Sequence, residues 1–251
     1  MERALLRRQE LLEALVDAPG TKPELVDRIA VSRSTVDRGI ADLLERDCVE
    51  KVDSRFQLTE TGRLALEARL EFRTIIDQIQ DATPLLDVTG LDSVSLDLLR
   101  GATINVADPR HPWKVLERSD EIVNAANAMY GTGPAVFPRF FDDISRSVEN
   151  QGLFCELVLD DAVFDSLDAS RIQMLRELVK GDNGSLFLTD LDDSFAVWIF
   201  DLPDEEYAGI TVYGSAGIEG IIYNDTPNAV SWARKEYRER KEAAELLWDF
   251  Q

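Results

Sequence analysis

Two cysteines, Cys48 and Cys155, and one histidine, His111, are all this 251-residue chain has of the side chains that most often build metal centres and disulfides. The cysteines are far apart and lack CxxC spacing. That excludes a zinc ribbon or a thioredoxin-type motif and points to reduced, buried, inert thiols. A single histidine leaves no metal-ligating His set, so neither metal nor cofactor is expected. No segment approaches the roughly 18 consecutive apolar residues of a membrane span, and the opening MERALLRRQE lacks the apolar core of a signal peptide, which makes the expected location cytoplasmic. Gly131-Thr132-Gly133-Pro134 lacks the glycine pattern and following lysine of a phosphate loop. Lysine is scarce as well, 6 against 21 arginines.

What is abundant is acid. The formal net charge is −21, with 45% hydrophobic and 30% charged residues, a composition that fits a globular chain of two domains. The charge is unevenly spread: residues 1–80 carry a net −3 and residues 81–251 the remaining −18. An acidic, lysine-poor surface is expected of a protein working in molar salt, where the screening length falls to about 3 Å. Acidic runs such as Asp160-Asp161, Asp190 and Asp192-Asp193 are read as solvated loops rather than cation sites.

Residues 21–58 hold a recognisable order of elements. Leu5, Leu6, Leu11, Leu12 and Leu15 give a first amphipathic helix that Pro19 and Gly20 end. Thr21 caps a second helix with Leu25, Val26 and Ile29 inside, and the turn Ala30-Val31-Ser32 follows, Val31 plugging the gap between helices. Ser32 caps a third helix whose inner face is Val36, Ile40, Leu43 and Leu44. Its outer face begins Arg33, Ser34, Thr35, Asp37 and Arg38. Residues 48–58 read as two short strands around Asp53-Ser54, with Lys51, Ser54 and Arg55 at or beside the tip. This is the order of a winged helix-turn-helix. A helix entering the major groove by its N-terminal end needs short hydroxyls and arginines there, and the sequence supplies them. The expected partner is double-stranded DNA, with Ser32, Arg33, Ser34, Thr35, Asp37, Arg38, Lys51, Ser54 and Arg55 at the interface. A generic three-helix module for protein contacts is the alternative.

Thr59-Glu60-Thr61-Gly62 opens a long helix carrying Leu64, Leu66, Leu70, Ile75, Ile76 and Ile79, which Thr83-Pro84 is expected to break. A helix of about 22 residues spans roughly 33 Å, too long for a small winged helix to cover, so part of it is expected to pack on a second subunit or the second domain. A homodimer follows naturally, because dimeric DNA readers place recognition helices one DNA turn apart. The expected division is a DNA-binding domain at 1–58, a connecting and dimerisation helix at 59–83, and an α/β sensor or dimerisation domain at 84–251.

Beyond residue 84 strands and helices alternate. Strands are expected at Ala102–Ala107, Leu153–Leu159, Ser185–Thr189, Phe195–Asp201, Gly209–Tyr213 and Gly217–Tyr223; helices at Val115–Tyr130, Pro138–Asn150, Ser170–Lys180 and from Pro227 to about Trp248. CELVLDDAVFDSL at Cys155–Leu167 and YAGITVYGSAGIEGIIYNDTPNAVSWARKEYRERKEAAELL at Tyr207–Leu247 resemble archaeal winged-helix transcriptional regulators of the methanogenesis and filament regulator (FilR) middle-domain family, abundant in haloarchaea. The resemblance implies a mixed α/β chain whose C-terminal half is similar to one phospholipase-D-like lobe. Enzymes of that fold use an HxKxxxxD motif. Here His111-Pro112-Trp113-Lys114 places lysine one position late and no second histidine exists to protonate a leaving group, so no enzyme activity is expected. The segment Arg110, His111, Trp113 and Lys114 follows a strand, where open α/β sheets place ligands, and is the candidate lining for a small anionic metabolite effector.

Overall fold

A computed structural model of the chain describes residues 2–90, 94–108, 110–135, 144–148, 152–180, 184–191, 193–215 and 217–249. It divides into two compact units, Met1–Ile76 and Asp77–Gln251. Among the described residues no helix is long and apolar enough to cross a membrane.

The first unit runs α1 (Glu2–Asp17), α2 (Lys22–Ile29), α3 (Arg33–Leu44), β1 (Val49–Val52), β2 (Arg55–Leu58) and the start of α4 (Glu60–Thr89). Leu12, Leu25, Val36, Ile40, Leu43 and Cys48 are each at most 1% exposed and fill one core with Phe56 and Leu66. Two positions expected inside are not: Leu6 is 48% exposed and Leu44 39%. Each sits at the rim of its apolar stripe, and a three-helix unit this small covers only the stripe's centre. β1 and β2 pair antiparallel, Val52 opposite Arg55, so Asp53 and Ser54 form the two-residue turn. Both take positive φ, 46° and 71°, as a hairpin turn matched to strand twist requires. Gly20 adds a third rung, exchanging backbone bonds with Phe56 of 2.9 and 2.8 Å.

The second unit is built on one mixed sheet of eight strands in the order β10-β6-β5-β4-β7-β8-β9-β3: β3 (Thr103–Val106), β4 (Ala128–Gly133), β5 (Phe154–Asp160), β6 (Gly184–Thr189), β7 (Phe195–Asp201), β8 (Glu206–Gly214), β9 (Gly217–Asn224) and β10 (Glu245–Asp249). β4, β5 and β6 are parallel; the remaining pairings are antiparallel. On one face α6 (Glu117–Ala125), the helical residues 144–148 (α7) and α9 (Ala169–Leu178) share a core with Leu157, Leu159, Trp198 and Phe200. The short α8 (Asp161–Asp165) follows β5. On the other face α10 (Pro227–Glu242) buries Ala229, Val230, Ala233 and Tyr237, beside α5 (Leu96–Leu99). Alternation in each strand sends side chains to the two faces, and both are covered.

Three expectations change. The helix expected at Val115–Tyr130 is a 3-10 turn (Pro112–Leu116) and then α6, and its last residues enter β4. Ala128–Gly131 are bonded by β5 on one side and β7 on the other, and two flanking ladders outweigh alanine's helix preference. The last helix stops at Glu242, and Glu245–Asp249 pair with β6 as an edge strand. Pro84 does not stop α4, which continues to Thr89. Ala82 and Leu85, on either side of it, are fully buried, so packing offsets the one backbone bond proline removes. Of the helix expected over Pro138–Asn150, residues 144–148 are helical and the rest lie outside the described residues.

Candidate nucleic-acid interface

The turn between α2 and α3 begins at Ala30, which takes left-handed backbone with φ 53°. Ser32 caps α3: its Oγ accepts from the Thr35 backbone N–H at 3.2 Å and lies 2.8 Å from Thr35 Oγ1 and 3.0 Å from Ser34 Oγ. Three hydroxyls are thus gathered where the first amides of the helix point outward, an arrangement that suits an anion. Val36, Ile40 and Leu43 anchor the opposite side of α3 in the core. Arg33, Ser34 and Arg38 stand exposed along its outer face. Arg38 leans back along the helix, its Nε donating to the Ser34 carbonyl at 3.1 Å.

Two residues expected to point outward are held within the unit. Asp37 pairs with Lys22 at 2.7 Å, and the hydrogen bond from Lys22 keeps its carboxyl below the usual range. Arg55 grips Glu24 through Nη1 and Nη2, at 3.2 and 2.7 Å, and donates to the Pro19 carbonyl at 2.9 Å. Glu24 also accepts the Thr21 backbone N–H at 2.9 Å. That bond first, and Arg55 with it, lowers the Glu24 carboxyl below its ordinary value. One carboxylate therefore joins the start of α2 to the base of the wing. Such exposed pairs contribute little energy singly, but a two-pronged arginine fixes orientation. Lys51 and Ser54 remain exposed on the wing.

Lys22 is the residue the sequence did not single out. Its Nζ lies 6.0 Å from the centre of the Phe56 ring and that of Lys51 5.9 Å from the same ring. Phe56 is thus approached by a lysine from α2 and by a lysine from the wing. No local motif marks Lys22, because the ring beside it lies far along the chain.

The second candidate segment does not assemble in the same way. Arg110 has 84% of its side chain exposed and folds onto Asp108 at 3.2 Å; the Arg110 backbone N–H, and then its side chain, lower the Asp108 carboxyl. His111 and Lys114 are exposed, and the Trp113 side chain lies outside the described residues. The unit does hold a cavity of about 50 Å³, on the sheet face under α6, but its lining is uncharged, including Met129, Leu157, Trp198, Phe200 and Thr211, and contains none of these four residues. Among the described residues no group of three or more His, Cys, Asp or Glu is arranged to hold a metal ion.

The sequence profile described as the N-terminal domain of HVO_A0261 matches residues 3–81. No curated protein matches the chain. Among solved structures, the archaeal chromatin protein TrmBL2 is similar over 96% of this chain and 94% of its own, at 15% identity and a TM-score of 0.43. NucT from Helicobacter pylori is similar over 58% of this chain and 98% of its own, at 16% identity and a TM-score of 0.46. The phospholipase D family member Nuc from Salmonella typhimurium covers the same shares, at 12% identity and a TM-score of 0.43. The profile of the methanogenesis regulatory protein FilR1 middle domain matches residues 112–243. That is more than half of the 251 residues, and the chain belongs to the FilR1 middle-domain family.

Proposed function

We propose that the chain is a transcriptional regulator that binds double-stranded DNA in a sequence-specific way through its N-terminal unit, and does so as a homodimer. The observation that carries the reading is the start of α3, where Ser32, Ser34 and Thr35 cluster at the helix N-terminus and Arg33 and Arg38 stand exposed. Lys51, beside the Phe56 ring, adds a cation suited to phosphate, while Lys22 is paired with Asp37. In this assignment Arg33, Ser34 and Arg38 meet base edges or adjacent phosphates, Ser32 and Thr35 the backbone, and Lys51 and Ser54 the flank reached by the wing. Asp37 and Arg55 act by holding α3 and the wing in place. The acidic second half repels DNA at low ionic strength, a penalty that molar salt screens, so a cytoplasm rich in salt is the setting the composition suits.

The test is a mobility shift on DNA from the chain's own promoter region, at roughly 0.2 M and about 1 M potassium chloride, where the screening lengths are about 7 and about 3 Å. Arg33→Ala should weaken a specific complex by about 1–3 kcal/mol, roughly 5- to 150-fold, with the fold unchanged by circular dichroism. No shift at either salt would leave the winged helix as a protein-interaction module. Phosphodiester hydrolysis by the second unit would instead favour an enzyme with an accessory winged helix.

An effector belongs to the same proposal. Arg110, His111 and Lys114 all face solvent, and a small anionic metabolite held there would act by favouring one arrangement of the two units over another. Carboxylated and phosphorylated metabolites screened by thermal shift should include one that raises the unfolding temperature of the wild type but not of Lys114→Ala. A flat response across the screen would remove the effector from the scheme.

A further inference from the structure

Helix α4 leaves a row of apolar side chains uncovered. Leu64, Phe72 and Ile76 are 50%, 57% and 37% exposed, and Ala68, between them, is exposed as well. They recur every fourth residue, so they form one slowly winding stripe about 18 Å long at 1.5 Å per residue. The opposite side of the same helix is spoken for, with Leu66 3% exposed in the core of the first unit.

The charges beside the stripe are biased. At about 100° per residue, Arg63, Glu67 and Glu71 fall on one side of its mid-line, where Arg63 already pairs with Glu67 at 2.9 Å, and Arg69, Arg73 and Asp77 on the other, so the first edge is net acidic and the second net basic. The Arg69 guanidinium already lies 5.7 Å from the centre of the Phe72 ring, so the basic edge is folded against the apolar row. Two copies of such a helix can meet about a two-fold axis in two ways. With the axis parallel to the helices, the acidic edge of each copy faces the basic edge of the other. With the helices antiparallel, acid faces acid and base faces base, which is unfavourable at close range.

We propose that the Leu64-Ala68-Phe72-Ile76 stripe of α4 is the contact surface for a second copy of this chain, the two helices running parallel, with Glu67 and Glu71 of each copy against Arg69 and Arg73 of the other. The proposal deepens the dimeric part of the function above and names its surface and polarity. Parallel pairing places both N-terminal units at the same end of the seam, the condition for two α3 helices to engage one duplex. Ala68, across the axis from its own counterpart, lets the two backbones approach beside the Phe72 rings. A stripe of this length covers less than the roughly 800 Å² per partner of a standard interface, so the dimer is expected to dissociate on dilution.

The test uses the full chain without DNA, so its outcome is independent of whether DNA binds. Sedimentation equilibrium should show a dimer, weakened at least about 30-fold by Phe72→Glu, as for loss of a central aromatic anchor; Glu71→Arg should weaken it less and Glu71→Arg with Arg73→Glu should restore it. Circular dichroism checks that each variant is folded. Leu64→Cys and Ala68→Cys, made separately, should each cross-link to their own kind under mild oxidation, since Cys48 and Cys155 are buried. A monomer at all concentrations overturns the proposal. So does a dimer indifferent to these substitutions, or one in which Leu64→Cys and Ala68→Cys do not both cross-link, since only parallel helices bring each position onto its own copy.

Discussion

Replacing Gly62 with alanine is expected to unfold the N-terminal unit and leave the C-terminal unit folded. A Cβ on Gly62 would sit 1.9 Å from the Cys48 carbonyl oxygen and 2.7 Å from its carbonyl carbon. Neither partner can move aside cheaply. The Cys48 carbonyl accepts from the Thr59 N–H at 3.1 Å, the Cys48 N–H donates to the Leu43 carbonyl at 3.0 Å, and the Gly62 N–H is held by Thr59 Oγ1 at 3.0 Å. The clash is therefore with backbone fixed from both ends, at the point where α4 leaves the wing. Overpacking of an ordinary core costs about 1–3 kcal/mol, and a contact this close between backbone atoms lies above that range. A unit of this size has roughly 4–11 kcal/mol in total at 0.05–0.15 kcal/mol per residue. Calorimetry should show the transition of the first unit lost or shifted far down and that of the second in place. A variant with both transitions at wild-type temperatures would mean that the helix does not lie against Cys48 as described.

Asn224→Ala should have the corresponding effect on the second unit. Asn224, at the end of β9, is 2% exposed. Its Nδ2 donates to the carbonyls of Leu98 and Arg100, both at 2.8 Å, and its Oδ1 accepts from the Thr226 N–H at 2.8 Å. One amide thus closes the end of α5, the end of its own strand and the entry to α10, where Thr226 is the cap. Alanine would strand buried groups at about 1–3 kcal/mol apiece, so a loss of roughly 3–5 kcal/mol is expected. For a unit of this size that lowers the melting temperature by about 10 °C, at 2–4 °C per kcal/mol. Thr226→Ala, which removes only the cap, should cost about 1 kcal/mol. Equal losses in the two variants would contradict the threefold role of Asn224.

Local chemistry made the first unit readable. Caps at Thr21 and Ser32, the apolar spacing of α3 and the Asp53-Ser54 turn are short-range features, and each determines structure within a few residues of itself. Partner choice was not readable. Arg55 and Asp37 look like outward charges until Glu24, 31 residues from Arg55, and Lys22 are seen to hold them, and Lys22 itself lies between Asp37 and the Phe56 ring. In the second unit the runs Leu153–Leu159 and Phe195–Asp201 announced buried strands by apolar content alone. The errors fell at Ala126–Tyr130 and Ala243–Trp248, where the alanines favour helix and the strand is imposed by pairing with neighbouring strands, on both sides for β4 and on one for β10. Pro84 shows the reverse error, a strong local stop signal overridden by burial on both sides. Arg110, His111 and Lys114 are close in sequence and exposed, while a cavity of the same unit, on the sheet face under α6, has an uncharged lining.

Each unit also contains one thiol, Cys48 in the first and Cys155 in the second, both fully buried. Burial raises both, Cys155 to about 12, so almost none of either is thiolate near neutral pH and neither reacts while its unit stays closed. Reaction with an alkylating reagent must wait for an opening event, and its rate counts those events. The unaltered chain therefore carries two internal clocks, one per unit, and following both by mass spectrometry would time the openings of each half separately within the same molecule.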